Sequence, residues 1–208
     1  MKTPALLLLI AVGLTVPASS RADRIVLAPR GETLAPNTFR TEFTISPRDR
    51  DTNLIWLQLS TPDGIEMEIE RADIHGDHHK RHSFNIQYPF IPDVGKGLAV
   101  SLGVRDLFGT GIEREAIYAV ASHPVRLSDR QFKLFRAIQL DAGLGTGALG
   151  GPFAGIEARL TMGLDVRAEL FRRRFNLALS VPLGKSVRLT TQSLNGTVYY
   201  GFSFGLTH

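Results

Sequence analysis

Along most of this chain apolar and polar residues alternate one by one, and the alternation stops at short clusters of glycine, proline, asparagine and aspartate. A period of two marks β-strands whose two faces meet different surroundings. In Leu164-Asp165-Val166-Arg167-Ala168-Glu169-Leu170 one face is wholly apolar, and the other carries two carboxylates and a guanidinium. Phe175, Leu177, Leu179 and Val181 repeat the apolar face against Asn176, Ala178 and Ser180, and Val187, Leu189 and Thr191 then alternate with Arg188, Thr190 and Gln192. Met162-Gly163, Gly184-Lys185 and Asn195-Gly196 separate these runs. Glycine or asparagine there supplies the positive φ of short hairpin turns. A final run, Val198 to Leu206, sets aromatic and apolar groups opposite mostly small residues.

The earlier chain follows the same rule. Phe39, Thr41, Phe43 and Ile45 alternate with Arg40, Glu42 and Thr44; Leu54 to Leu59 holds the only tryptophan, Trp56; Ile65 to Glu70 puts three glutamates on one face. Phe84 to Phe90, Leu98 to Arg105 and Ala116 to Val120 continue the pattern, with a loop expected from His123-Pro124. Leu134 to Leu144 brings Gln139 and Asp141 to one face, and Gly145 to Gly151 reads as a flexible connection. The expected fold is all-β, an antiparallel up-and-down β-barrel of about 12 strands, with no amphipathic helix of useful length.

Charges on one face and hydrocarbon on the other suit two structures. One is an outer-membrane barrel with the apolar face toward lipid; the alternative is a soluble periplasmic barrel or sandwich with that face inward, binding a lipid or glycan. The start of the chain bears on the choice. A charged Met1-Lys2-Thr3, an apolar run from Ala5 to Val12 and a small-residue zone ending at Ala22 read as a signal peptide over residues 1–22. Residues 23–37, with the apolar patch Ile25-Val26-Leu27 and two prolines, form a leader or lid, and 38–208 the barrel domain. The chain is therefore expected to be exported, and past the signal no apolar run approaches the ~20 residues of a membrane helix, so residence in a membrane must be as a barrel. Its net charge of +4 and pI near 9.7 point, for an exported chain, to lipid phosphates and acidic polysaccharide rather than to nucleic acid.

Four segments, Leu98 to Asp106, Ala116 to Ser122, Phe153 to Glu157 and Val166 to Glu169, resemble in order and spacing the successive strands of YjbH-type bacterial outer-membrane proteins associated with exopolysaccharide production. The similarity runs from roughly Phe84 to Leu206, and departs from the family where Leu170-Phe171 replaces its tyrosine-aspartate. It implies an outer-membrane location and a non-enzymatic role in exopolysaccharide or cell-surface assembly, or as a small channel, and it brings no catalytic residues and no cofactor. The partners expected are outer-membrane lipid and acidic polysaccharide or lipopolysaccharide.

Three groups of residues could carry chemistry. His75, Asp77, His78, His79 and His82 are suitable metal ligands, yet their spacing matches no standard zinc motif and Lys80 and Arg81 would repel a cation, so a solvated loop explains them better. His82-Ser83 and Ser122-His123 suggest the dyad of an outer-membrane acyl hydrolase. Sequence neighbours on a strand point to opposite faces, which argues against either pair. The polar-face charges Arg105, Glu115, Asp141, Glu157, Arg159, Asp165, Arg167, Glu169 and Arg188 alternate in sign and are expected to form a cross-strand ion network in a narrow lumen. Arg172-Arg173-Arg174 marks a basic hairpin tip that would attract phosphates or acidic polymer.

Overall fold

The computed structural model describes residues 24–47, 53–73, 81–92, 97–111, 115–125, 127 and 134–207. Twelve strands form a closed barrel. The first half holds β1 Thr38–Ile45, β2 Asn53–Ser60, β3 Glu66–Asp73, β4 Arg81–Ile91, β5 Ala99–Arg105 and β6 Ala116–Val125. The second holds β7 Phe135–Gly145, β8 Gly151–Leu160, β9 Asp165–Phe171, β10 Arg174–Pro182, β11 Val187–Leu194 and β12 Thr197–Thr207. Every strand pairs antiparallel with its neighbours in sequence, and β1 closes the ring on β12 in the register Thr38↔Thr207 to Ile45↔Tyr200. Closure leaves no edge strand to aggregate.

Two expectations are corrected. His123-Pro124 does not open a loop, because β6 runs on to Val125 with Pro124 opposite Gln139. The ladder between β6 and β5 ends at Ser122, so on that side no strand asks Pro124 for the N–H it lacks. The stretch from Gly145 to Gly151 is an ordered link: those two residues pair with one another, and a 3₁₀ turn at Gly147–Leu149 buries Ala148 and Leu149. Turn chemistry matches the pattern at Gly163, with φ of 84°, and at Asn195-Gly196, with 50° and 82°, but Gly184-Lys185 turns without a positive φ, and Arg172 and Arg173 take the left-handed region, at 52° and 60°, with no glycine to ease it.

The two faces of the barrel differ sharply. Outward stand Leu57, Leu59, Leu102, Ile117, Leu144, Leu177 and Leu189, all exposed, with the aromatics Phe108 and Phe175 toward one rim and Tyr88 and Phe90 toward the other. An apolar belt flanked by aromatic girdles is the surface that lipid-facing barrels present. Inward stand serine, threonine, glutamine, arginine and carboxylate. Val166 lies outward and its neighbour Arg167 is 5% exposed on the inner face, as is Ala178 at 3%. A Val166→Arg chain is therefore expected to insert poorly or to lose barrel form at a lower temperature in heat-modifiable gel mobility, since a basic residue facing lipid costs about 2–4 kcal/mol at the midplane and less toward the interfaces. Ala178→Ser should migrate like the parent.

Candidate functional site

An eight-stranded barrel fills its interior with side chains and a barrel of sixteen or more leaves a water channel; twelve leaves a space between these extremes. Here the chain fills it itself. Residues 24–36, ahead of β1, enter from the rim where β1 starts and β12 ends. They climb inside the wall and turn near the middle, where Ile25 N donates to Ala28 O at 2.9 Å and Arg24 bridges back to Pro29.

The wall meets this segment's backbone almost group by group. Near the rim Leu34 N donates to Glu66 Oε2 at 2.9 Å and Ser60 Oγ donates to Leu34 O at 3.2 Å. Higher up, Gly31 N donates to Ser122 Oγ and Ser101 Oγ to Gly31 O, both at 2.7 Å, and Gln87 Nε2 donates to Arg30 O at 2.7 Å. At the turn one carboxylate, Glu169, accepts from three successive N–H groups, those of Val26, Leu27 and Ala28, at 2.9–3.0 Å. A segment without secondary structure of its own thus has its donors and acceptors met by side chains, as burial requires.

Side chains complete the seat. The wholly buried Arg30 places Nη1 2.6 Å from Glu157 Oε2 and Nε 3.7 Å from Asp141 Oδ1. Arg24 reaches Glu42 at 3.7 Å and Glu68 at 3.5 Å, with its guanidinium carbon 4.0 Å above the centre of the Trp56 ring. Ile25, Val26 and Ala28 join an apolar cluster with Tyr118, Val120, Leu149, Phe153, Phe171 and Ala178, which occupies the lumen toward the far rim. Phe153 and Phe171 meet edge-on at 6.5 Å. Two glycines allow the close approach. A Cβ on Gly155 would lie 2.5 Å from Ile25 Cγ2, and one on Gly31 would lie 2.5–2.8 Å from the backbone of Ser122, Ala121 and Ala99. What space is left beside Arg24, Leu27 and Pro29 is a crevice of about 30 Å³, room for a water or two.

Of the residues singled out from sequence, Asp141, Glu157, Arg167 and Glu169 are buried on the inner face, and Arg105, Arg159, Asp165 and Arg188 are half-buried there. Two pair across strands, Arg188 with Asp165 at 2.7 Å and Arg105 with Glu70 at 3.0 Å, and Arg159 pairs with Glu157 at 2.8 Å along β8 itself. Glu115 does not join them, because it precedes β6 and stands exposed at the far rim. Nor does Arg167 pair with Glu157 or Glu169 as the alternation suggested. Its guanidinium donates to Ser180 Oγ at 2.9 Å, while Arg30 and Arg159 engage Glu157 and the segment's N–H groups engage Glu169.

Sequence reading did not assign a site role to Glu42, Glu66, Glu68, Glu70, Arg40, Arg24 or Arg30. The strict alternation of three glutamates on β3 was the available signal. In all, β1 and β3 bring Glu42, Glu66, Glu68 and Glu70 to the lumen below the rims, and β7, β8 and β9 bring Asp141, Glu157, Asp165 and Glu169. Facing them are Arg40, Arg105, Arg159, Arg167 and Arg188.

In both serine–histidine pairs the serine faces the lumen and the histidine the outside: Ser122 and Ser83 are buried, His123 and His82 exposed. Ser122 Oγ instead donates to Asp141 Oδ1. His75, Asp77, His78 and His79 lie outside the described residues, and among those described no cluster of three or more histidine, aspartate or glutamate side chains could hold a metal ion.

No family model matches the chain, and no curated protein matches it significantly. Among solved structures, one described as "KdgM porin" superposes with a TM-score of 0.56 at 9% identity, over 82% of this chain and 99% of that one. The fold is that of a porin barrel. A second structure, "KdgM porin in complex with disordered oligogalacturonate", matches with a TM-score of 0.53 at 8% identity over the same shares.

Proposed function

We propose that this protein is a non-enzymatic outer-membrane barrel that forms a conduit held shut by its own residues 24–34. The observation that carries the reading is that a barrel of porin fold, apolar outside and ionic inside, has its lumen occupied by a segment joined to the wall mainly through polar contacts. A purely structural filling would be expected to use apolar side chains, whose burial needs no matched donors. Polar contacts in a channel, by contrast, can be exchanged for water when the segment leaves.

The resemblance of four strand segments to YjbH-type proteins supports a role for such a conduit in exopolysaccharide or cell-surface assembly. The basic hairpin supports contact with acidic polymer or lipopolysaccharide phosphate at the rim, since Arg173 and Arg174 are exposed and Arg172 lies over the Phe171 ring at 5.2 Å. Two left-handed arginines are a conformational cost of the kind that persists at functional positions. Replacing Arg173 and Arg174 by serine is expected to weaken retention on lipopolysaccharide-coated surfaces at low salt and to leave heat-modifiable mobility unchanged.

The test of the main reading is conductance in planar bilayers. The parent chain should show brief, infrequent openings, and a chain whose segment cannot seat should conduct steadily. Recovery in the soluble periplasm, or the same conductance with and without a seated segment, would remove it.

A further inference from the structure

The segment that fills the lumen also reports what the lumen is built to hold. Below the rims the wall carries eight carboxylates against five guanidiniums, a formal charge of −3. The segment brings two guanidiniums and one buried carboxylate, Glu32, and the guanidiniums go to the wall's carboxylates: Arg30 to Asp141 and Glu157, Arg24 to Glu42 and Glu68. The second of these seats has a further mark of a cation site, the face of Trp56 at 4.0 Å from the Arg24 guanidinium carbon. A ring face flanked by carboxylates attracts a cation through its quadrupole, and more strongly when water is kept away. Trp56 is itself fully buried, and its Nε1 has no hydrogen-bond partner among the described residues.

We propose that, once residues 24–34 leave it, the lumen is a binding and permeation site for extended organic polycations, the class that includes polyamines and arginine-bearing peptides. The segment is then a built-in occupant that competes with such a ligand for the same carboxylates. The proposal rests on the reading of the barrel as a conduit its own segment closes, and it departs from the acidic saccharide held by the porin of similar fold. A polyanion entering this wall would meet three more carboxylates than guanidiniums. Rings of acidic side chains select cations, and like charge in a confined, poorly screened space repels.

Trp56 provides the readout, because it is the only tryptophan in the chain. Full-length Gly31→Leu protein, folded in detergent and verified by heat-modifiable mobility, is titrated with spermine and, separately, with trigalacturonate while tryptophan emission is followed. Arg24→Ala/Arg30→Ala is the second unseated chain, with the wall untouched. Spermine is expected to give a saturable change that the parent chain lacks, weakened at least about tenfold when Glu68→Gln and Asp141→Asn are added. Trigalacturonate should give none. In bilayers under a KCl gradient the reversal potential of the unseated chains should favour potassium. Equal response to trigalacturonate, silence of Trp56 toward spermine in both unseated chains, or a chloride-selective pore would overturn the proposal. An unseated barrel that binds spermine but does not conduct upholds the binding site and overturns permeation together with the conduit reading.

Discussion

A chain carrying Gly31→Leu is expected to hold an open pore where the parent is closed. At this position the segment passes so near the wall that even a Cβ would come within 2.5 Å of Ser122 N and 2.8 Å of Ala99 O. Those are backbone atoms of paired strands, on β6 and β5, and they cannot swing aside as the tip of a flexible side chain could. The segment must therefore move. Leaving the seat gives up the paired bonds of Gly31 to Ser122 and Ser101, and pulls on Arg30 next to it. Each buried hydrogen bond is worth about 0.5–1.5 kcal/mol net, and an overpacked site adds about 1–3 kcal/mol. Together these move the balance toward the open lumen by several kcal/mol. The strands themselves lose no contact, so the variant should keep heat-modifiable mobility. Steady single-channel conductance from Gly31→Leu and rare openings from Gly31→Ala, whose methyl asks for a smaller shift, would be the matching pattern. A Gly31→Leu barrel that is folded and as silent as the parent would show that the segment adapts in place.

The barrel was legible because lipid and water impose period two on every strand. Glu66, Glu68 and Glu70 cannot face hydrocarbon, Phe175 to Val181 and Leu189 cannot face an ionic lumen, and counting such runs returns the strand number directly. Closure follows from the number of strands rather than from any motif. The segment inside was not legible for a matching reason: residues 24–34 have no period, since they are enclosed by the wall and their contacts are made mostly by backbone groups that every residue type carries. Ile25-Val26-Leu27 gave the one hint, an apolar patch too short for a strand. The ion pairs were half legible. Alternation places Asp165, Arg167 and Glu169 on one face, but whether Glu169 meets Arg167 or the N–H groups of Val26 to Ala28 depends on what lies across the lumen. Sign alternation along a strand says nothing about that third partner.

Glu169 is for this reason the single side chain whose loss should matter most to closure. Its carboxylate accepts from three N–H groups of the segment and from Asn176 Nδ2 at 2.8 Å, and it is 1% exposed. In Glu169→Leu four donors lose their acceptor. A buried donor left without a partner costs about 1–3 kcal/mol. The N–H groups of Val26, Leu27 and Ala28 can recover their bonds only by meeting water, which requires the turn at Ile25 to leave the apolar cluster around Phe153 and Phe171. The expected loss of several kcal/mol falls on the seated state alone, because in the unseated state water already serves those groups. Glu169→Gln keeps one acceptor oxygen of the same reach and should fall between parent and leucine. Trypsin provides an assay independent of current, since Arg24 and Arg30 are buried in the parent and become cleavable when the segment leaves. Mass analysis of the detergent-folded barrel should show the parent intact at these two bonds, Glu169→Gln slowly cut and Glu169→Leu rapidly cut, with the barrel fragment that begins at Gly31 still heat-modifiable. Equal resistance of all three chains would mean that the apolar cluster, and not the Glu169 carboxylate, holds the segment in place.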